Sequence, residues 1–320
     1  MSNIKVILDA FGGDNAPIEI IKGGILAQKE ANINVIFCGD STKIKEIGRS
    51  FKTDIKDSQI IHAPDVILSD AKPMEITKNK NCSMSVGLQA LADNEADSFV
   101  SAGNSGALLV GTTLIVKKAP NIKRIAFAPL IPSLESMFLL VDAGANSDCT
   151  ENMLVQFGIM GSDYVKKILK IETPRVGLLN IGTEETKGDD LRHNAYKLFK
   201  SQTVNPINFI GNVEANDIFF NACDVVVADG FTGNMILKTF EGTSSLLIQK
   251  INASLNHNLK TKFGSLLLKK QLNSITHQIS YQLKGSAPLL GAAKPVFKTH
   301  GRSDAKTIKN ALINASKYEI

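Results

Sequence analysis

No tryptophan occurs among the 320 residues, and aromatic side chains make up only 6% of the chain. A surface that stacks nucleic-acid bases is therefore poorly supplied. Cysteine is scarce too: the four at positions 38, 82, 149 and 223 show no C-x-x-C spacing, which argues against a zinc or disulfide framework and for reduced thiols in a cytosolic protein. The most apolar segment, Ile125 to Val141, is broken by Pro129, Pro132 and Glu135, so no run is long enough to span a bilayer. The opening M-S-N-I-K-V-I-L-D lacks the apolar core and cleavage site of a signal peptide, and the expected location is the cytoplasm. No G-x-G-x-x-G, G-x-x-x-x-G-K-[ST] or H-E-x-x-H occurs, so the nicotinamide, P-loop and zincin signatures are missing. The histidines at 62, 193, 257, 277 and 300 show no ligand spacing, and no metal or cofactor is expected.

Acidic residues are absent between Glu241 and Asp304, a span that holds eight lysines and Arg302. The net charge is +5, so the remainder is mildly acidic and this one segment basic. Such asymmetry calls for an acidic partner: an anionic lipid surface, an acidic protein or nucleic acid. Within it Ile251, Leu255, Leu259 and Phe263 recur every fourth residue, and Leu268, Leu272, Ile275, Ile279 and Leu283 continue the pattern. Two amphipathic helices follow. The pair reads as a protruding hairpin over about 243–284, inserted in a single domain of 1–320. Gly264 marks the break. Its tip, Phe263, Leu266, Leu267 and Leu268 with Lys262, Lys269 and Lys270 beside them, suits either a dimer interface or an anionic membrane, and both can hold at once. Mixed lysines and leucines fit lipid better than a nucleic-acid groove.

With 43% hydrophobic residues the chain can build a large core. Short runs of Val, Ile, Leu and Phe alternate with helical patterns. Strands are expected near Lys5–Asp9, Asn34–Cys38, Gln59–His62, Ser98–Ser101, Ile125–Pro129, Phe138–Asp142, Arg175–Asn180, Ile207–Ile210, Asp224–Ala228 and Val296–Lys298. Helices such as Ser105–Lys117, Glu151–Lys170 and Leu191–Ser201 lie between them. This alternation predicts an α/β fold with a mostly parallel sheet flanked by helices, and ligands bind such sheets beyond the carboxyl ends of the strands.

Six glycine-rich loops fall at those ends: D-A-F-G-G-D (9–14), S-A-G-N-S-G-A-L (101–108), V-D-A-G-A-N (141–146), L-N-I-G-T-E-E-T-K-G (179–188), I-G-N-V-E (210–214) and D-G-F-T-G-N (229–234). Bare backbone N–H groups at helix starts hold anions, phosphate above all. Phosphate-binding candidates are Gly12, Gly13, Gly103, Asn104, Ser105 and Gly106. Candidates for catalysis are Lys187, Asn146 and Asn234, which can donate to phosphate or to a developing oxyanion. Each has a plain structural alternative: a surface ion pair with Glu184 or Glu185 for Lys187, loop capping for the asparagines. Asp9, Asp142 and Asp229 end their strands and can orient loop N–H groups or act as bases. Cys149 stands at a helix start, where a thiol pKa can fall.

In this order the loops, with A-P-L-L-G (287–291) and H-G-R-S-D-A-K-T-I-K-N-A (300–311), resemble the acyl-acyl carrier protein:phosphate acyltransferases (PlsX-type) of bacterial phospholipid synthesis. The resemblance covers nearly the whole chain. It implies a fold like that of phosphotransacetylases and isopropylmalate dehydrogenases. The implied reaction makes acyl phosphate from acyl carrier protein thioester and inorganic phosphate. It further implies a homodimer, peripheral attachment to the cell membrane and a membrane glycerol-3-phosphate acyltransferase that takes the product. The chain departs from the family pattern at Phe11, at Ala215–Asp217 and around 74–83, where Lys78 or Lys80 stands for an arginine and Cys82 for a serine. Rival readings are a phosphotransacetylase-like enzyme using acetyl-coenzyme A and a non-catalytic membrane-docking scaffold.

Overall fold

The computed structural model describes residues 4–203, 206–257, 261, 268 and 285–318. Two sheets organise them. In the first, β1 (Lys5–Asp9), β2 (Asn34–Gly39), β3 (Ile60–His62) and β4 (Ser98–Ser101) run parallel in the order β3-β2-β1-β4. The second holds β6 (Leu130–Pro132), β7 (Met137–Val141), β8 (Arg175–Asn180), β9 (Asn208–Glu214) and β10 (Val225–Val227), ordered β6-β7-β10-β8-β9. All but its edge strand β6 are parallel. The chain then returns through β11 (Ala287–Leu290) and β12 (Val296–Lys298), and β12 lies parallel against β4.

Period-two burial explains both layers. Val6, Leu8, Val100 and Phe297 pack on one face of the first sheet, against α1 (Ile18–Ala31) and the C-terminal helix, while Ile7, Phe99 and Val296 pack on the other. Likewise Leu139, Val141, Val176 and Val225 face α6 (Glu151–Leu169) and α7 (Asp190–Ser201); Phe138, Leu140 and Val226 face the opposite way. The remaining helices are α2 (Ser41–Ser50), α3 (Glu75–Lys78), α4 (Ser83–Ala92), α5 (Ser105–Gly111), α8 (Gly230–Leu255) and α9 (Ala305–Ser316).

Four expectations change. The strand expected over Ile125–Pro129 is two short strands in different sheets, β5 (Ala126–Phe127) and β6, because Pro129 has no N–H to donate and the chain crosses between sheets there. The helix expected over Ser105–Lys117 is α-helical only to Gly111 and finishes as a π-type turn, Thr112–Val116. Strand β11 carries Pro288, which hid it from the pattern reading. The first helix of the basic segment is not separate at its start: residues 251–255 are the last turn of the 26-residue α8. Of the proposed tip, Leu268 is exposed; Phe263, Leu266, Leu267, Lys262, Lys269 and Lys270 lie outside the described residues. Among the described residues no helix is long and apolar enough to cross a membrane.

Candidate active site

Asp9, Ser101 and Lys298 stand at the carboxyl ends of the adjacent strands β1, β4 and β12. Asp9 is buried and accepts hydrogen bonds from Ser83 Oγ and Ser101 Oγ, each at 2.6 Å. Burial pushes its pKa above the usual carboxylate value, against the pull of those two hydroxyls. Ser101 Oγ in turn accepts from the Gly103 N–H at 3.0 Å. A Cβ on Gly12 would lie 2.4 Å from Asp9 Oδ2 and 2.8 Å from the Gly103 nitrogen, so loop 9–14 must carry glycine there. Lys298 is also buried, and its Nζ donates to the carbonyls of Ala102, at 3.2 Å, and Thr299. Burial brings its pKa down to about 8, against the opposing pull of Asp9 and Asp14.

The second sheet supplies the opposite wall. Asp142, fully buried at the end of β7, accepts five N–H groups. Phe127, Gly144 and Ala145 donate to Oδ1; Asn146 donates to Oδ2 from both its backbone and its side chain. The loop so formed lies against the start of α8. Gly230 N donates to Asn146 O at 2.7 Å, and a Cβ on Gly233 would fall 1.9 Å from Asp142 O. Asp229 caps α8 by accepting from Thr232 N at 2.9 Å, and it pairs with Arg192.

A cavity of about 330 Å³ opens between these walls. Ser105 and Gly106 line it from the first sheet's side, Lys298, Thr299 and His300 from the end of β12, Gly144 and Ala145 from the Asp142 loop, and Asn234 and Lys238 from α8. Three of the six glycine-rich loops, 101–108, 141–146 and 229–234, thus line one cavity, and loop 9–14 packs against the first of them, as expected of loops at the carboxyl ends of strands.

The individual assignments fare differently. Ser105, Gly106 and Asn234 line the cavity. The Gly103 N–H is spent on Ser101. Asn104 gives both amide hydrogens to the carbonyls of Ser69 and Ala71 and accepts from Ala107 N, so it braces the loop. Asn146 likewise gives both amide hydrogens away, to Asp142 and to Ile125 O, and is a strut with no donor left for a substrate. Gly12 is packing; Gly13, at φ 109°, makes the turn that sets Asp14 N on Gly301 O at 2.8 Å. Lys187 is exposed on the loop after β8, outside the residues that line the cavity, and Glu185 pairs with Lys200. Lys78 and Lys80 also lie outside that lining. Cys149 does not become acidic: burial pushes its thiol up to about 11.

Sequence reasoning missed Lys298 and Arg192. Lys298 counted only toward the charge of the basic segment; its position in an apolar V-F-K strand end was the available signal. Arg192 joins α7 to the capping carboxylate of α8. Burial raises the Asp229 pKa, but the Thr232 N–H and hydroxyl together with Arg192 outweigh it and hold the group below its usual value. Stability from a lowered carboxyl is present above the unfolded pKa of about 4 and lost as pH falls through the folded value. Arg192→Gln is therefore expected to cost about 2 kcal/mol near pH 7 and much less at about pH 3. Urea unfolding at both pH values checks this, and an equal loss at both would refute the linkage.

Beyond α8, on its other face, lies a larger apolar groove of about 1290 Å³, bordered by Leu134, Ile181, Phe220, Met235 and Leu247. All five are more than half exposed.

The family described as fatty acid synthesis protein matches residues 4–319. The chain belongs to this family. Curated relatives extend along nearly its whole length. A phosphate acyltransferase of Thermoanaerobacter pseudethanolicus is 43% identical over 317 residues, covering 98% of this chain and 93% of the relative. That of Oceanobacillus iheyensis is 41% identical over 314 residues, with 98% and 92% covered. Among solved structures, a phosphotransacetylase from Streptococcus pyogenes aligns with a TM-score of 0.65 at 16% identity, covering 98% of this chain and 93% of that one. At such identity the likeness is one of fold, and the chain has the α/β architecture of mostly parallel sheets and flanking helices expected from its sequence.

Proposed function

We propose that this protein is a phosphate acyltransferase that moves a long-chain acyl group from acyl carrier protein to inorganic phosphate, supplying acyl phosphate for phospholipid synthesis. The observation that carries the reading is the 41–43% identity, end to end, to phosphate acyltransferases. The cavity's chemistry supports it. A phosphate oxygen attacks the thioester carbonyl carbon, the C–O bond forms, the C–S bond breaks and the electron pair leaves on sulfur. A thiol of pKa about 8.5 is a good leaving group, so the site's work is to hold phosphate and stabilise a developing oxyanion. The start of α5 with Ser105 and Gly106, and Asn234 just past the first turn of α8, supply donors from two walls. Lys187, on an exposed loop outside the cavity's lining, is kept as a proposed donor to the substrates.

Apolar residues along the outer part of α8 (Leu246, Leu247 and Ile251, all about half exposed) support the homodimer and peripheral-membrane parts of the proposal. The basic segment suits both an acidic carrier protein and the anionic inner face of the cell membrane. The product would pass to a membrane glycerol-3-phosphate acyltransferase.

The test is thioester consumption by the purified protein, given long-chain acyl carrier protein with and without phosphate. Phosphate-dependent release of free carrier protein, with an acyl phosphate trapped by hydroxylamine, is the expected result. Turnover of acetyl-coenzyme A alone would instead assign a phosphotransacetylase, and turnover of neither would refute the acyl-transfer reading.

A further inference from the structure

Two adjacent side chains in the cavity keep hydrogen-bonding capacity that the fold does not use. Lys298 is 6% exposed, yet it lines the cavity. An ammonium has three donors, and the Ala102 and Thr299 carbonyls take two, which leaves one for whatever occupies the cavity. Thr299 is 1% exposed and lines the same space, and its hydroxyl has no hydrogen-bond partner among the described residues. A buried hydroxyl left unpaired is costly, and so is an ammonium held out of water without full pairing. Both costs are offset when a ligand with several acceptor oxygens and negative charge arrives. Across the cavity stand Ser105 and Gly106 at the start of α5.

We propose that Lys298 and Thr299 seat the phosphate substrate, and that Lys298 is a catalytic residue holding the nucleophile against the thioester. The inference rests on the acyl-transfer reading of this cavity. The Lys298 ammonium and the Thr299 hydroxyl each donate to a phosphate oxygen, and a third oxygen attacks. Hydrogen phosphate enters as a dianion and leaves as the acyl phosphate dianion, its proton going to the departing thiolate, so Lys298 acts by charge and gives up no net proton. Burial already draws the ammonium toward neutrality, and the phosphate dianion restores the charged form.

The experiment varies phosphate at saturating acyl carrier protein thioester. Lys298→Met keeps the stem and removes the charge; it is expected to raise the phosphate KM by roughly 100-fold, the loss of a charge-assisted hydrogen bond, and to leave the thioester KM within a few-fold. Thr299→Val is expected to raise it about tenfold. A lysine that merely ties two carbonyls together would change the melting temperature without splitting the two KM values. An unchanged phosphate KM in folded Lys298→Met overturns the proposal. Should that variant not fold, an unchanged phosphate KM in Thr299→Val does so. If the wild-type protein turns over no thioester, the acyl-transfer reading fails by itself. Calorimetric titration with inorganic phosphate then decides the seat: binding lost in both variants upholds it, and equal or absent binding overturns it.

Discussion

Gly233→Ala is expected to abolish turnover and remove most of the protein's stability. The added Cβ would sit 1.9 Å from the carbonyl oxygen of Asp142, which belongs to backbone and has no side-chain freedom with which to yield. Either α8 moves away from the loop or the loop opens, and both line the cavity. A forced overlap of this kind costs on the order of 4 kcal/mol, a large part of the 5–15 kcal/mol that holds a typical domain together. The same helix provides its own control. Nothing lies within 4 Å of a Cβ on Gly242, which is exposed. Gly242→Ala is expected to stabilise the protein by up to about 1 kcal/mol through helix propensity alone. Thermal melts of the two variants should shift in opposite directions. A Gly233→Ala protein that melts and turns over like wild type would mean that the two loops do not touch as described.

Asp142→Ala is expected to have the second largest effect. The carboxylate gathers the N–H groups of Phe127, Gly144, Ala145 and Asn146, and it also fixes the Asn146 side chain. Truncation leaves four backbone donors without their acceptor. Each buried donor left unpaired costs about 1–3 kcal/mol, and partial repair by water brings the expected total to about 4 kcal/mol. Because Gly144 and Ala145 line the cavity, the surviving folded fraction should also turn over roughly 100-fold more slowly, the loss expected of a wall displaced by about 1 Å. Asp142→Asn separates the two effects. It keeps one acceptor oxygen but sets an NH₂ against the Asn146 donors, so an intermediate loss of about 2 kcal/mol is expected. Urea unfolding and steady-state rates on the same samples check both. An Asp142→Asn enzyme as slow as Asp142→Ala but fully stable would point to a role for this carboxylate in chemistry rather than in holding the loop.

These two positions also show how much could be read without coordinates. D-A-G-A-N and D-G-F-T-G-N were visible as glycine-rich loops at strand ends, and so was their meeting near a shared ligand. Why the glycines are there was not. Gly230 and Gly233 answer to the backbone of residues 142–146, nearly ninety residues earlier, and no local pattern reports such an approach. The asparagines teach the same point. Asn104, Asn146 and Asn234 are chemically equivalent donors in the sequence. Only packing spends the first two on backbone carbonyls and carboxylate and leaves the third lining the cavity.

The alternation of β-branched runs with helical periods, the loops at strand ends and the order of those loops determined the α/β fold and the family by themselves. These are local or collinear properties, and hydrophobic burial at periods of 2 and 3.6 imposes them on any chain so written. The division of the strands between two sheets, and the return of β12 to lie beside β4, were decided only in three dimensions. That return brings Lys298 next to Ser101, across 197 residues of chain. A buried ammonium beside a buried carboxyl arises from which strands become neighbours, and strand order depends on long-range packing that no window of the sequence contains.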